Sequence, residues 1–558
     1  MHSTIEPLES RIAPAVFTVT LLTDTSTVTR HQLTLRQAIA AANTHGGSNT
    51  ILFKPGLIGV IDLAGSAALS ITSNLTIDGG GIIYVDALDK SRVFDIGTST
   101  VTLSGMVIID GNAASGNGGA VYSRGPLTID NCIISSSSAE NGGAIYENTA
   151  AGAFVLDHCR IAGNTATDTA GGVSISAGGG AQIIHALIEG NVAEGATGAI
   201  AASMPAAQKA PVVIKNSVIT GNAAQDNGAL YLSDMSTRGA GISISGSRLL
   251  GNISADGPAG ALYVSAATSD HVVIAGSTFA SNSADKEGGA VDANGPGPLL
   301  IKGSDFESNT AAEYGGGIAL EDNLSAVTIT GSSVLDNFGG EAGGGIWGTG
   351  SFALKISKTT IGGNQTGGLA DPMSTGGGIA ISTSGATTIT GSHFYRNASA
   401  LGGGGAYFND SGNISISGTT FGGNTVVGKG GGLDIASGSS TVTIKGDFDA
   451  NCALTAAGSG GGLYIGGSHK FAITAVFTAN VAGAEGGGIF IGGAAAGSIY
   501  LSNSIFNNVS AGFGGGVAHP STATGTVTMK VSAITGNVGA RTPQANYSNT
   551  YGAFAPIA

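Results

Sequence analysis

Fifteen positions, each one repeat after the last, hold the residues that could bind or react. They are Tyr122, Tyr146, Ser174, Ala201, Tyr231, Tyr263, Asp292, Ala319, Trp347, Ala380, Tyr407, Asp434, Tyr464, Phe490 and Ala518. Each sits between neighbours of the kind seen in Leu262-Tyr263-Val264. If those neighbours point into a core, strand alternation points the middle residue outward. Eight of the fifteen are aromatic (Tyr122, Tyr146, Tyr231, Tyr263, Trp347, Tyr407, Tyr464 and Phe490) in a chain with only 6% aromatic residues. Such an enrichment on one strip suits a surface for sugar rings or a protein partner. Neighbouring aromatics on a sheet also stabilise one another by a few tenths to about 1 kcal/mol per pair, so a structural strip would carry the same residues.

Hydrolysis or elimination on a polysaccharide would need paired carboxyl groups. Asp292 and Asp434 share the column but stand five repeats apart, about 24 Å at strand spacing, too far for a carboxylate pair. Asp292 and Glu321, one repeat on, fall about 7 Å apart on a diagonal, a separation that suits an inverting pair. Against catalysis, the sequence has no Gly-His-Gly, no Asp-Asp dipeptide and few Arg or Lys near these acids. The nine His form no HExxH, and no Cys/His spacing suggests zinc, so no metal ligand and no cofactor is assigned. Asp285, Glu287, Glu313 and Glu341 are too scattered for a calcium cage.

The element that must carry this column is a repeat, cleanest from Leu299 to Leu320 (LLIKGSDFESNTAAEYGGGIAL). With Asn309 as anchor, the frame recurs at Asn112, Ser137, Asn164, Asn191, Asn222, Asn252, Asn282, Asn337, Asn364, Asn397, Asn424, Asn451, Asn480, Asn508 and Asn537. Every copy has an apolar residue three before the anchor, and the interval runs from 25 to 33 residues, most often 27. Such a period means stacked supersecondary units. Alternation at minus ten and minus eight, at minus five and minus three, and after the glycines resolves three short strands per unit. Gly pairs and triplets such as Gly315 to Gly317 supply the corners. The pattern predicts a right-handed parallel β-helix, a pectate-lyase-like solenoid of about 16 coils with a stacked asparagine ladder. Leucine-rich repeats share the period but need several Leu and a helical return strand in each unit.

The chain has 558 residues, 96 Gly, 10% charged residues and a formal net charge of −14. That charge disfavours nucleic acid and anionic lipid as partners. No apolar run reaches the length of a membrane-spanning helix. Cys132 and Cys159 occupy the small-residue column five before their anchors, where a disulfide and a pair of stacked thiols both fit. Cys452 stands by itself after an anchor.

At the N-terminus, Glu6-Pro7-Leu8-Glu9-Ser10-Arg11-Ile12-Ala13-Pro14-Ala15 resembles the LEPR-XLL motif, which implies export from a bacterial cell. Residues 1–16 read as an export-type leader and 17–85 as a capping region. Within the latter, Leu33-Thr34-Leu35-Arg36-Gln37-Ala38-Ile39 and Asn74-Leu75-Thr76-Ile77-Asp78-Gly79 resemble the CSLREAI-type domain that precedes β-helices in bacterial surface proteins. Independently, Thr34 with Gln37 makes a capping box, and Leu35, Ala38, Ile39 and Ala42 make one apolar face, predicting an amphipathic helix over 35–43. Laid over an open solenoid end, it would hide unpaired backbone.

Residues 86–540 form the β-helix and 541–558 a tail. The Gly-Gly-Ala-Val and Phe-x-x-Asn elements, as in Gly288 to Val291 and Phe279 to Asn282, resemble the repeats of polymorphic outer-membrane proteins, which implies an adhesin-like surface protein. The expected function is an exported extracellular or cell-surface rod, non-enzymatic, that binds a polysaccharide or a cell-surface protein. A polysaccharide lyase or glycoside hydrolase acting along the outward strand face is the alternative.

Overall fold

A computed structural model describes residues 13–25, 32–63, 65, 67–149, 152–204, 210–234, 241–267, 271–321, 323–367, 374–501, 505–520, 522–531, 534–540 and 550–552. The leader motif at 6–15 lies outside the described residues up to 12, as does most of the 541–558 tail. The fold is a right-handed parallel β-helix of about 17 turns with almost no helix. The chain divides into two compact units, Met1–Val213 and Ile214–Ala558.

In the first unit, Val16–Val19 pairs with Ser48–Phe53, which pairs with Asn74–Asp86 and so on through Leu127–Asp130, Phe154–Asp157 and Ala181–Ile184. All of these pairings are parallel. Helix α1 spans Leu35–His45. Thr34 accepts a hydrogen bond from the Gln37 N–H while the Gln37 side chain accepts from the Thr34 N–H, the reciprocal box expected of this pair. Leu35, Ala38, Ile39 and Ala42 are buried, and α1 packs on the strands Val16–Val19, Ser48–Phe53 and Leu69–Ile71. Arg36 ties α1 to the chain around it through Asp24, 2.7 Å away, and the Ala68 carbonyl. Strands within 48–86 already belong to coils, earlier than the repeat announces. These first turns carry no asparagine anchor and leave the pattern unreadable there.

In the second unit one coil serves as the template. Leu299–Lys302 and Asp305–Glu307 lie in sheet 1, Thr310–Ala311 in sheet 2 and Ile318–Leu320 in sheet 3. The three strands of the sequence pattern are thus joined by a two-residue strand after the asparagine, too short to show alternation. Sheet 3 stacks in unbroken register, as in Tyr263↔Asp292, Asp292↔Ala319, Ala319↔Trp347 and Trp347↔Ala380. Inside, Phe394, Phe421, Phe448 and Phe477 stack with ring centroids 4.7–4.8 Å apart. At the corners, Gly315 has φ +63° and an added Cβ would lie 2.4 Å from the Ile318 carbonyl oxygen, so only glycine fits.

The asparagines form the expected ladder, except that Asn112 stands one residue out of frame: it is in register with Ser138, and Gly111 takes the anchor place against Ser137. The Asn309 main-chain N–H and Nδ2 both donate to Asn337 Oδ1, at 2.9 Å each, and Nδ2 also donates to the Phe279 carbonyl at 3.0 Å. The same set recurs from Asn252 through Asn508 in the second unit and at Asn164 with Asn191 in the first. Nearly every anchor is fully buried, where an unmet amide would cost about 1–3 kcal/mol. All three cysteines are free; Cys132 and Cys159 are buried thiols in the column of small side chains.

Asn424→Ala removes the acceptor of two Asn397 donors and a donor to the Phe394 carbonyl. It should cost about 2–4 kcal/mol, read as a shift of the urea midpoint, whereas Thr388→Ala on the outer face should stay within about 0.5 kcal/mol.

Candidate functional site

The column singled out in the sequence runs along sheet 3, and the glycine corners decide how far it is exposed. Each corner folds back over the base of the column residue that follows it. A Cβ on Gly430 would lie 2.7 Å from the Cβ of Asp434, and one on Gly486 2.9 Å from the Cβ of Phe490. A second row, Tyr314, Ala342, Thr375, Gly402 and Lys429, is bridged coil to coil and flanks the column. As a result the large rings are half-buried, while Asp292, Ala319, Ala380, Asp434 and Ala518 are covered.

The rings lie against one another along the stacking axis. In the first unit Tyr122 meets Tyr146 edge-on at 5.5 Å, with Arg92 and Arg124 over the Tyr122 ring at 5.1 and 4.7 Å. Arg124 also pairs with Asp95, which is in register with Tyr122. In the second unit Tyr231 stacks on Tyr263 at 5.3 Å, Trp347 on Tyr314 at 4.8 Å and Tyr464 on Phe490 at 5.2 Å; Lys429 lies 4.9 Å from the Tyr464 ring. Each near-parallel stack covers one face of each of its rings and leaves the ring edges outside that contact. This surface therefore offers ring edges and fewer open π faces than its rings would separately. Tyr407 lies between Ala380 and Asp434 in register and has no ring neighbour in the column.

Three carboxyl groups of sheet 3 are buried, Asp292 and Asp434 under the corners on its outer face and Glu147 on its inner face. In the second unit Asp292 is 0% exposed, with the Glu321 carboxyl beside it. Burial, then the nearby Glu321 and Glu287 carboxylates, push it well above the ordinary carboxylate range. Asp292 and Glu321 are thus brought together as their spacing predicts, but only Glu321, held by Asn294 Nδ2 at 2.6 Å, retains contact with solvent. Asp434 is likewise raised by burial, against the pull of Lys429. Burial and the Asp292 and Glu321 charges lift the Tyr263 hydroxyl to about 12; burial and Asp434 do the same for Tyr407. In the first unit Glu147, beside Tyr146 but pointing inward, is pushed up to about 8 by burial.

The sequence reading assigned no metal ligand, yet among the described residues one trio of donor side chains converges: Asp157, His158 and His185 of the first unit. The signal was present, since His158 and His185 are 27 residues apart, one coil, in the turn six before the anchor. The acids Glu287, Glu313 and Glu341 of the second unit form no such trio.

A profile of the family described as periplasmic copper-binding protein (NosD) matches residues 215–432, less than half of the chain and wholly within the second unit. No curated protein and no solved structure gives a significant match. Among the described residues no helix is long and apolar enough to cross a membrane.

The raised carboxyls carry a sign for stability. Glu147 keeps its proton in the folded chain up to pH of about 8 but would lose it near 4.5 when unfolded. Between those values the folded state binds the extra proton, so stability falls as pH rises through the window and is level below it. Glu147→Gln should therefore raise the melting temperature by several degrees at about pH 8 and change it little at about pH 4. Asp292→Asn should show the same direction, checked by thermal melts across that range.

Proposed function

We propose that this chain is an exported, non-enzymatic β-helix of the bacterial cell envelope that holds a polysaccharide along sheet 3 of its second unit. The observation that carries this reading is the half-buried row Tyr231, Tyr263, Trp347, Tyr407, Tyr464 and Phe490. Its hydroxyls and ring edges recur on one face at the spacing of the coils. A polymer of sugar hydroxyls can meet such a row repeatedly, and modest contacts add up when they share one ligand. Tyr122 and Tyr146, with the arginines around them, would form a similar patch on the first unit.

Export to the envelope is supported by the resemblance to the periplasmic family over residues 215–432. Copper, also in that family's description, does not enter this reading: the converging donor trio lies outside the matched segment. Catalysis by the pair Asp292 and Glu321 is disfavoured because a substrate cannot touch a carboxyl covered by its own coil. An adhesin-like role through a protein partner would use the same face.

Screening the purified chain against immobilised acidic and neutral polysaccharides tests this. Binding should be found and should weaken by about tenfold when Tyr407→Phe and Tyr263→Phe are combined, since these changes remove hydroxyls while keeping ring packing. Failure to bind any polysaccharide, or binding indifferent to those changes and to Trp347→Ala, would overturn it. Release of reducing ends or unsaturated products that Glu321→Gln abolishes would replace it with the enzymatic alternative.

A further inference from the structure

In the first unit, the turn between Phe154–Asp157 and Arg160–Ala162 places His158 at φ +50°, and the next coil's turn places His185 at φ +51°. The same turn position is held by Asn131 in the coil before and is often glycine elsewhere, as at Gly246 and Gly276. Left-handed backbone is expensive for most side chains, and histidine is among the few types that enter it readily. Here the two imidazoles lie over one another with centroids 4.5 Å apart. Both turn Nδ1 toward the same carboxylate oxygen, Asp157 Oδ1, at 2.8 Å for His158 and 3.4 Å for His185.

We propose that Asp157, His158 and His185 form a binding site for one divalent transition-metal ion of the kind that imidazole prefers, such as Zn2+. The geometry is the first support. Donors about 2.0–2.1 Å from a tetrahedral ion stand about 3.4 Å from one another. The three donor atoms already lie within 4.8 Å of each other. Small side-chain rotations therefore close them round an ion without moving the backbone. Access is the second. His158 and His185 line a groove of about 410 Å³ with Asn131, Arg160 and Leu187, and the side chains of both and of Asp157 are partly open to solvent, so water can complete the coordination. Two imidazoles and one carboxylate favour zinc, copper or nickel over calcium or magnesium, which prefer an all-oxygen shell.

The neighbouring thiols do not compete for the role. Cys132 and Cys159 line the base of the same groove but donate to main-chain carbonyls, Cys132 to Asp130 at 3.3 Å and Cys159 to Asp157 at 3.1 Å. Both thiols are buried, at 1% and 2% exposure, whereas the three proposed ligands are open to solvent. Arg160, which lines the same groove, is taken up by Glu189. The backbone of this turn is the scaffold: consecutive coils set the two histidines one strand spacing apart, a pitch that neither histidine could choose alone.

The test is calorimetric titration of Zn2+ into the full chain after chelator treatment, with Ca2+ as a second titrant. One Zn2+ per chain should bind in the micromolar range and Ca2+ should not. His158→Asn combined with His185→Asn should abolish this binding. Asparagine already occupies the same left-handed position at Asn131, so melting curves should show the variant folded. Asp157→Asn should weaken binding by about tenfold. Absence of Zn2+ binding by the unaltered chain, or equal binding by the folded double variant, would overturn the assignment.

Discussion

One requirement governs this molecule: each buried anchor amide finds its partner one strand spacing away, in the next coil. The sequence separation between bonded asparagines varies from 27 to 33 residues in the second unit, yet the bonds stay at about 2.9–3.1 Å. Extra residues must therefore be absorbed in the connections, with the inner turn held constant. Amide pairing fixes the pitch, and the pitch fixes everything that stacks.

Stacking turns single substitutions into columns. Phenylalanines three before the anchors build a ring stack in the core because each lands over the last. Glycines at the corners recur for a different reason: the corner of one coil lies against the main chain of the next, as where a Cβ on Gly316 would meet the Gly344 carbonyl at 2.4 Å. Small residues there let coils approach to hydrogen-bonding distance. The same glycines then cover the bases of the sheet 3 column, so close coil packing and a half-hidden outer face are one geometric fact.

Much of this was legible before any coordinates. Period, anchors and glycine corners specify a solenoid because each serves a contact that repeats in every turn. Helix α1 was readable from Thr34, Gln37 and four apolar positions, since capping and amphipathicity are local. Two features escaped. The first coils were hidden because they lack the anchor, and their pairing depends on partners distant in sequence. Exposure along the column was also misjudged: alternation points Asp292 and Asp434 away from the inner core, but only the folded corner seals them at 0% and 2% exposure. The pair His158 and His185 was visible as a spacing of one coil, but its meaning required knowing that both rings turn toward Asp157.

The columns also suggest where function can arise on such a scaffold. A column that keeps one residue type over successive coils is explained by stacking alone, as the asparagines and the core run Phe394, Phe421, Phe448 and Phe477 are. Chemistry is more telling where neighbouring coils depart from the rule of their column, because the departure gains nothing in packing. Asp292 is a costly buried acid where aromatic or alanine side chains would pack, and two histidines occupy a turn that asparagine, glycine and Lys358 fill in other coils. In the first case the coil hides the group and the cost falls on stability. In the second the turn displays it, and two adjacent coils supply a constellation that no single repeat encodes.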